Sequence, residues 1–311
     1  MQVICGVDIA KDWLDVRIEP GGMTARFAND AQGIGELAAL CRAQGVALVA
    51  MEASGGYEQA AHLGLWQAGF PGAVVNARSV RDYARAMGYL EKTDRIDAEM
   101  IAGYARARRV QPVAPKSADA RKMAALCARM RQIASDLSVQ KQRLASTRDP
   151  LGRASLGEVI ALLTRQQKAL AAAIAALIQT DPLWTALDAT FRSVKGIADR
   201  TVATLIAELP EIGTISNKAI AKLAGLAPIA NDSGKRNGPR SIRGGRTSVR
   251  SILYLVADVA RRFDPTLADM RQRLLDQGKP KMVVRIALAR KLLVRLNAKA
   301  RDTRQTLATT T

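Results

Sequence analysis

Histidine and cysteine are nearly missing from this chain, which has one histidine, His62, and three cysteines, Cys5, Cys41 and Cys127, in 311 residues. The cysteines lie scattered in apolar surroundings without the paired spacings that hold zinc. A disulfide framework, a zinc site and histidine-based catalysis are therefore poorly supported. Aromatic residues are also scarce, at 4%, and Tyr254 is the main one near the basic segments, so stacking of bases there has little to draw on. Long apolar runs are absent as well. No stretch approaches the roughly 20 uncharged residues of a membrane span, and Met1 to Ala10 carries no basic segment ahead of its apolar run. The chain reads as soluble and intracellular, with no membrane partner.

What the chain has in excess is positive charge, 47 Lys and Arg against 28 Asp and Glu, a formal net charge of +19. The excess is not spread evenly. Residues 1–115 hold 12 basic and 13 acidic side chains, and the remainder holds 35 and 15. A neutral first part joined to a strongly basic second part fits a catalytic module attached to a polyanion-binding one, with nucleic acid as the partner. A ribosome-like or membrane-surface protein is the plainer alternative. With 48% hydrophobic and 24% charged residues, the chain can build ordinary cores, and its length suits two or three domains.

The pattern along residues 1–115 predicts β-β-β-α-β-α-β. Val3 to Ile9, Trp13 to Ile18 and Thr24 to Ala28 read as strands joined by tight turns, the second turn at Gly21-Gly22. Ala31 to Cys41 has helical spacing, Ala47 to Met51 reads as a buried strand, Glu58 to Trp66 as a helix and Ala73 to Asn76 as a short strand. Asp94 to Arg108 is a further helix, ended by Gln111 to Pro115.

Over 116–180, Met123, Leu126, Met130, Ile133, Leu137 and Leu144 follow a three-four spacing. It resumes after Asp149-Pro150-Leu151-Gly152 with Leu156, Ile160, Leu163, Leu170, Ile174 and Leu177. Two long helices in an antiparallel coiled-coil arm fit best, and two helices of an ordinary bundle are the alternative. Residues 181–311 read as mainly helical. Val194 to Ala198, ahead of the apolar helix Val202 to Leu209, is similar to a helix-hairpin-helix turn, although an ordinary helix turn explains it almost as well. A small, polar, very basic loop runs from Asn231 to Arg246, followed by a helix from about Ser248 to Arg262. A last helix, Val283 to Lys299, carries Lys291, Arg295 and Lys299 four apart, with Leu292, Leu293 and Leu296 for the core; such a stripe suits a phosphate backbone, although a solvated face is the default. The Thr-rich end, Thr306 to Thr311, reads as a frayed tail.

The chemistry is carried by carboxylates. Asp8 lies at the end of an apolar strand, Glu52 directly after another, and Asp94 and Asp97 stand three apart on one face at the opening of a helix. Brought to one sheet edge, they would form an RNase H-like site, where magnesium takes oxygen ligands for two-metal phosphoryl chemistry. Each residue alone has a plainer role, Asp8 in a turn, Glu52 in solvent and Asp94 as a helix cap. Asp12, Asp15, Glu58, Glu91 and Glu99 compete with them.

The blocks around these residues, Gly6-Val7-Asp8-Ile9-Ala10-Lys11, Met51 to Glu58 and Lys92 to Ala98, resemble the signatures of the DEDD transposases of bacterial insertion sequences. That family includes pilin-gene-inverting and bridge-RNA-guided recombinases. Gly225-Leu226-Ala227-Pro228, Asp232-Ser233-Gly234 and Ile242 to Arg246, on through Val249-Arg250 to Leu253-Tyr254, are similar to its C-terminal transposase domain. The resemblance implies a RuvC-like, RNase H-like α/β domain over 1–115, a helical arm over 116–180, and a mainly α transposase domain over 181–311. It further implies magnesium, or manganese in its place, held by Asp8, Glu52, Asp94 and Asp97, and a nucleophilic serine at Ser233. The chemistry of the residues alone leaves Ser241, Thr247, Ser248 and Ser251 open as alternatives.

Cleavage and rejoining of DNA through a phosphoserine, guidance by a bridge RNA encoded in the element, a homodimer or homotetramer, and bacterial cytoplasmic localisation at the nucleoid follow from the same resemblance. Lys235, Arg236, Arg240, Arg243, Arg246 and Arg250 would grip phosphates beside the nucleophile, with Lys291, Arg295 and Lys299 as a second basic row. A hydrolytic, junction resolvase-like nuclease with a merely structural Ser233, and a non-enzymatic nucleic-acid-binding protein, are the competing functions.

Overall fold

The computed structural model describes residues 2–89, 94–234, 236–238 and 240–310, with the backbone alone at 94–96, 236–237 and 310. The chain forms two compact units, Met1–Lys116 and Ser117–Thr311. It is mixed α/β and mostly helical, with a five-stranded mixed sheet and twelve helices among the described residues.

The first unit holds the sheet, in the order β3-β2-β1-β4-β5. Strands β1 (Ile4–Ile9), β2 (Trp13–Glu19) and β3 (Met23–Ala28) form an antiparallel meander. Strands β4 (Leu48–Glu52) and β5 (Gly72–Val75) add on parallel to β1. The strand pattern read from the sequence matches this order to within two residues at each end. Alternation along the strands sorts the core into two layers. Cys5, Val7 and Ile9 of β1, with Leu14, Val16 and Ile18 of β2, face α1 (Ala31–Ala43) and α2 (Glu58–Gln67). Ile4 of β1 and Leu48 and Ala50 of β4 face α3 (Ala77–Ala86) and α4 (Asp94–Ala107) on the other side. Helix α3 has no counterpart in the sequence pattern, because only Val80 and Ala84 of its ten residues are buried.

The second unit is built on α5 (Ala118–Ser146) and α6 (Pro150–Gln179), which pack along one another as a hairpin. Asp149 caps α6 by accepting a hydrogen bond from the Gly152 amide at 2.7 Å, and Pro150 fits the first turn, where no amide donor is needed. The hairpin is not independent of its surroundings. Near its base Met123, Cys127, Ile174, Leu177 and Ile178 join the core of α7 (Pro182–Arg192), α8 (Asp199–Glu208) and α9 (Asn217–Leu223). Residues 151–170 contribute no buried side chain. A two-residue-strand hairpin, β6 (Asp232–Ser233) and β7 (Arg236–Asn237), precedes α10 (Thr247–Ala260), α11 (Pro265–Asp276) and α12 (Lys281–Thr310).

Leu292, Leu293 and Leu296 of α12 are fully buried, as their spacing predicts. The expected frayed end is instead helical through Thr310. Threonine hydroxyls satisfy main-chain carbonyls there, Thr306 bonding to Asp302 at 3.0 Å and Thr309 to Thr306 at 2.8 Å. No single helix among the described residues is long and apolar enough to cross a membrane.

Candidate active site and nucleic-acid surface

Asp8 and Glu52 occupy matching places on neighbouring parallel strands. Val7 pairs with Met51, so each carboxylate stands one residue beyond that pair, at the strands' carboxyl edge. Both follow the parity of Ile4, Leu48 and Ala50, which places them on the α4 side of the sheet. Cys5, the sulfur-bearing residue of β1, faces the opposite layer.

Helix α4 runs antiparallel to these strands. After it ends, the Val113 amide donates to the carbonyl of Gly72, the first residue of β5, at 2.8 Å. The chain leaving α4 is therefore at the edge where the parallel strands begin, and the opening of α4, with Asp94 and Asp97, is at the edge where they end. Gly6 lets the helix approach. A β-carbon there would meet the Ala102 amide nitrogen at 2.8 Å and the Ala98 carbonyl oxygen closer still. A glycine inside a strand is the sequence signal for such an approach.

Asp8, Glu52 and Asp97 are each half-buried, and each makes a polar interaction within the protein. The side chain of Asp94 lies outside the described residues. Among the described residues, no three His, Cys, Asp or Glu side chains come together as a metal-holding group.

Most of the competing carboxylates have other work. Asp15, paired with Asp8 across β1 and β2, is engaged by Arg26 through both oxygens, at 2.7 and 3.0 Å. Glu58 accepts hydrogen bonds from the amides of Ser54 and Gly56 at 3.1 and 2.9 Å and so ties down the turn after Glu52. Glu99 lies 3.7 Å from Arg17. Asp12 is exposed, and Glu91 lies outside the described residues.

In the second unit, Ser233 is exposed on the β6–β7 hairpin, opposite Arg236. Gly234 turns the chain with φ of 54°, a conformation that favours glycine. The hairpin is anchored below by the Ile229–Ser241 bridge.

The basic residues behave unequally. Arg240, Arg243 and Lys291 are exposed. Arg246 turns inward, clasping Glu211 with both terminal nitrogens and donating to the Glu208 carbonyl at 2.9 Å. Arg250 folds back on the Gly244 carbonyl at 2.7 Å. Arg295 pairs with Asp264, and Lys299 donates to the Ser193 hydroxyl at 3.3 Å. Only part of the two expected basic rows is therefore directed to solvent. Lys235 and the side chain of Arg236 lie outside the described residues.

A cavity of about 740 Å³ that the sequence did not reveal opens beside the hairpin base, lined by Ile242, Tyr254, Met270, Ile286 and Val294, with Arg240 on its wall.

Residues 5–149 match a transposase family model of the DEDD IS110 type, and residues 188–272 match that of the IS116/IS110/IS902 transposase family. The chain belongs to the IS110 transposases. Pilin gene-inverting proteins of Moraxella lacunata and Moraxella bovis are each 27% identical to it over 308 residues, spanning 93% of this chain and 92% of the relative. An uncharacterised 43.6 kDa protein of insertion element IS110 from Streptomyces coelicolor is 30% identical over 150 residues, 48% of this chain and 36% of its own length. As an IS110 transposase the chain is a DNA transposase or recombinase, with DNA as its partner.

Proposed function

We propose that this transposase cuts and rejoins DNA through a phosphoserine at Ser233, using a RNase H-like first unit whose Asp8, Glu52, Asp94 and Asp97 hold magnesium. The observation that carries the reading is the in-register placement of Asp8 and Glu52 on the α4 face, at the edge where α4 opens. The donor set is all oxygen, with cysteine kept to the other face, which suits magnesium or manganese and not zinc. When bound, the metal supplies charge neutralisation at the phosphoryl oxygens.

The chain's own residues do the rest. The Ser233 hydroxyl forms the bond to phosphorus while the bond from phosphorus to one strand oxygen breaks, and that strand leaves with a hydroxyl end. The serine proton passes to a carboxylate and from there to the departing strand oxygen, since the lone histidine, His62, is buried. A hydroxyl end of a second strand then attacks the phosphoserine and restores the serine, so the phosphodiester is conserved without a nucleotide cofactor.

Arg240, Arg243 and Lys291, joined by Lys235 and Arg236, hold phosphates. An arginine-rich, aromatic-poor surface reads backbone and shape, which agrees with sequence choice by a bridge RNA. The outer hairpin of α5 and α6 leaves Leu151, Val159 and Leu162 exposed, and a second copy would cover them in a homodimer or homotetramer.

Ser233→Ala should lose covalent attachment to a cut strand while keeping DNA binding. Strand exchange retained in that variant would overturn the serine assignment. Cleavage by the unaltered chain that leaves no protein on the strand would establish a hydrolytic nuclease instead.

A further inference from the structure

The rim beside the candidate carboxylates carries aromatic side chains that the reaction as described does not use. Trp13 is 50% exposed, and so is Tyr57. Trp13 opens β2, where Leu14, Val16 and Ile18 fill the core on one face. Trp13 shares the other face with Asp15, the cross-strand partner of Asp8, so it projects on the side of Asp8 and beyond it toward the carboxyl edge. Tyr57 follows Glu52 by five residues, directly ahead of α2.

Asn29 locks both loops. Its side-chain amide donates to the Ala10 carbonyl at 2.9 Å and the Tyr57 carbonyl at 3.3 Å, and its backbone amide donates to the Asp12 carbonyl at 3.0 Å. Glu58 fixes the Gly55-Gly56 turn from the other end. Lys11, between Asp8 and Trp13, is exposed. A large aromatic held out in water at the end of a braced turn that also carries an exposed lysine is the equipment for stacking a nucleobase and pairing its phosphate.

We infer that Trp13, seconded by Tyr57, is a positioning residue that stacks a base of the DNA strand and so sets the adjoining phosphodiester against the carboxylate edge. This rests on the reading of Asp8 and Glu52 as that edge. It places base stacking in the neutral first unit.

The test uses the full chain with Trp66→Phe and Trp184→Phe, which leaves Trp13 as the sole tryptophan. Its emission is followed as a short single strand of oligothymidine is added without metal, and then an abasic strand of the same length. Quenching by oligothymidine and little by the abasic strand is expected. In the otherwise unaltered chain, Trp13→Ala should slow strand cleavage about tenfold or more, the scale of one stacked base, and Trp13→Phe should restore most of it. Equal quenching by both strands, no quenching, or cleavage unchanged in Trp13→Ala would overturn the inference. Asp8→Asn separates the two readings. Retained cleavage there removes the carboxylate assignment, whereas intact Trp13 quenching in the same variant leaves the stacking site standing.

Discussion

Gly6 lies directly beneath Ala98, so close that a single methyl group on the strand would collide with the helix carbonyl and with the Ala102 amide behind it. Backbone on both sides leaves no flexible side chain to yield. Gly6→Ala must therefore push α4 off β1, at about 1–3 kcal/mol of overpacking or more, and carry Asp97 away from Asp8. A lowered melting temperature together with lost strand cleavage is expected. Gly35→Ala in α1, where nothing lies within 4 Å of the new methyl, should instead stabilise by about 0.5–1 kcal/mol. A Gly6→Ala protein as stable and active as the parent would show that the close contact of α4 with β1 at Gly6 does not hold Asp97 in place.

The carboxylates of the first unit should divide into two groups. Asp8→Asn, Glu52→Gln and Asp97→Asn are expected to cut strand cleavage by at least about a hundredfold, the scale of a lost charge-stabilising group, with little change in folding. Asp15→Asn and Glu58→Gln remove partners of Arg26 and of the Ser54 and Gly56 amides. They should lower stability by about 1 kcal/mol and leave most of the activity. Cleavage rates titrated with magnesium, beside thermal melts, measure both.

The strands and most helices are legible in the sequence because their apolar residues alternate or recur at helical spacing. Helix α3 is not, since two buried residues in ten make no stripe. The four acidic positions stand out in their motifs, but their separation from Asp15 and Glu58 depends on a cross-strand arginine and a pair of turn amides. The basic loop shows the same limit. Arg246 and Arg243 look alike in sequence, and a glutamate 35 residues upstream, Glu211, sets them apart.

That difference is measurable. Arg246→Ala breaks the clasp on Glu211 and the bond to the Glu208 carbonyl, so it should cost about 2–3 kcal/mol of stability, and leave the salt dependence of DNA binding unchanged. Arg243→Ala should do the reverse, with an unaltered melt and a salt slope shallower by about one unit for each phosphate left without its cation. Equal salt slopes for the two variants would remove Arg243 from the DNA surface.

Cys5, Cys41 and Cys127 are buried, and burial pushes the Cys127 thiol up to about 11. At neutral pH its reactive thiolate is scarce as well as shielded. A disulfide reagent should therefore label none of the three in the native protein and all three in denaturant. Fast labelling of Cys127 in native buffer would mean that the base of the α5–α6 hairpin opens readily.

Asp258 gives the second unit an acid-sensitive joint. Its carboxyl is held below the usual carboxylate range, first by the hydrogen bond from Arg261 and then by that from Arg285, each at 2.8 Å and together outweighing burial. A carboxyl depressed on folding stabilises fully above its unfolded value near 3.9, and that stabilisation is lost as pH falls through the lower folded value. Asp258→Asn should therefore melt a few degrees below the parent at neutral pH. The gap should narrow as pH falls below about 3.9 and through the lower folded value, because only the parent has a charge to lose there. Melting curves of both proteins across that range decide it. A gap that stays constant into acid would mean that the asparagine acts through packing, and that the ion pairs of Asp258 with Arg261 and Arg285 add nothing to the fold.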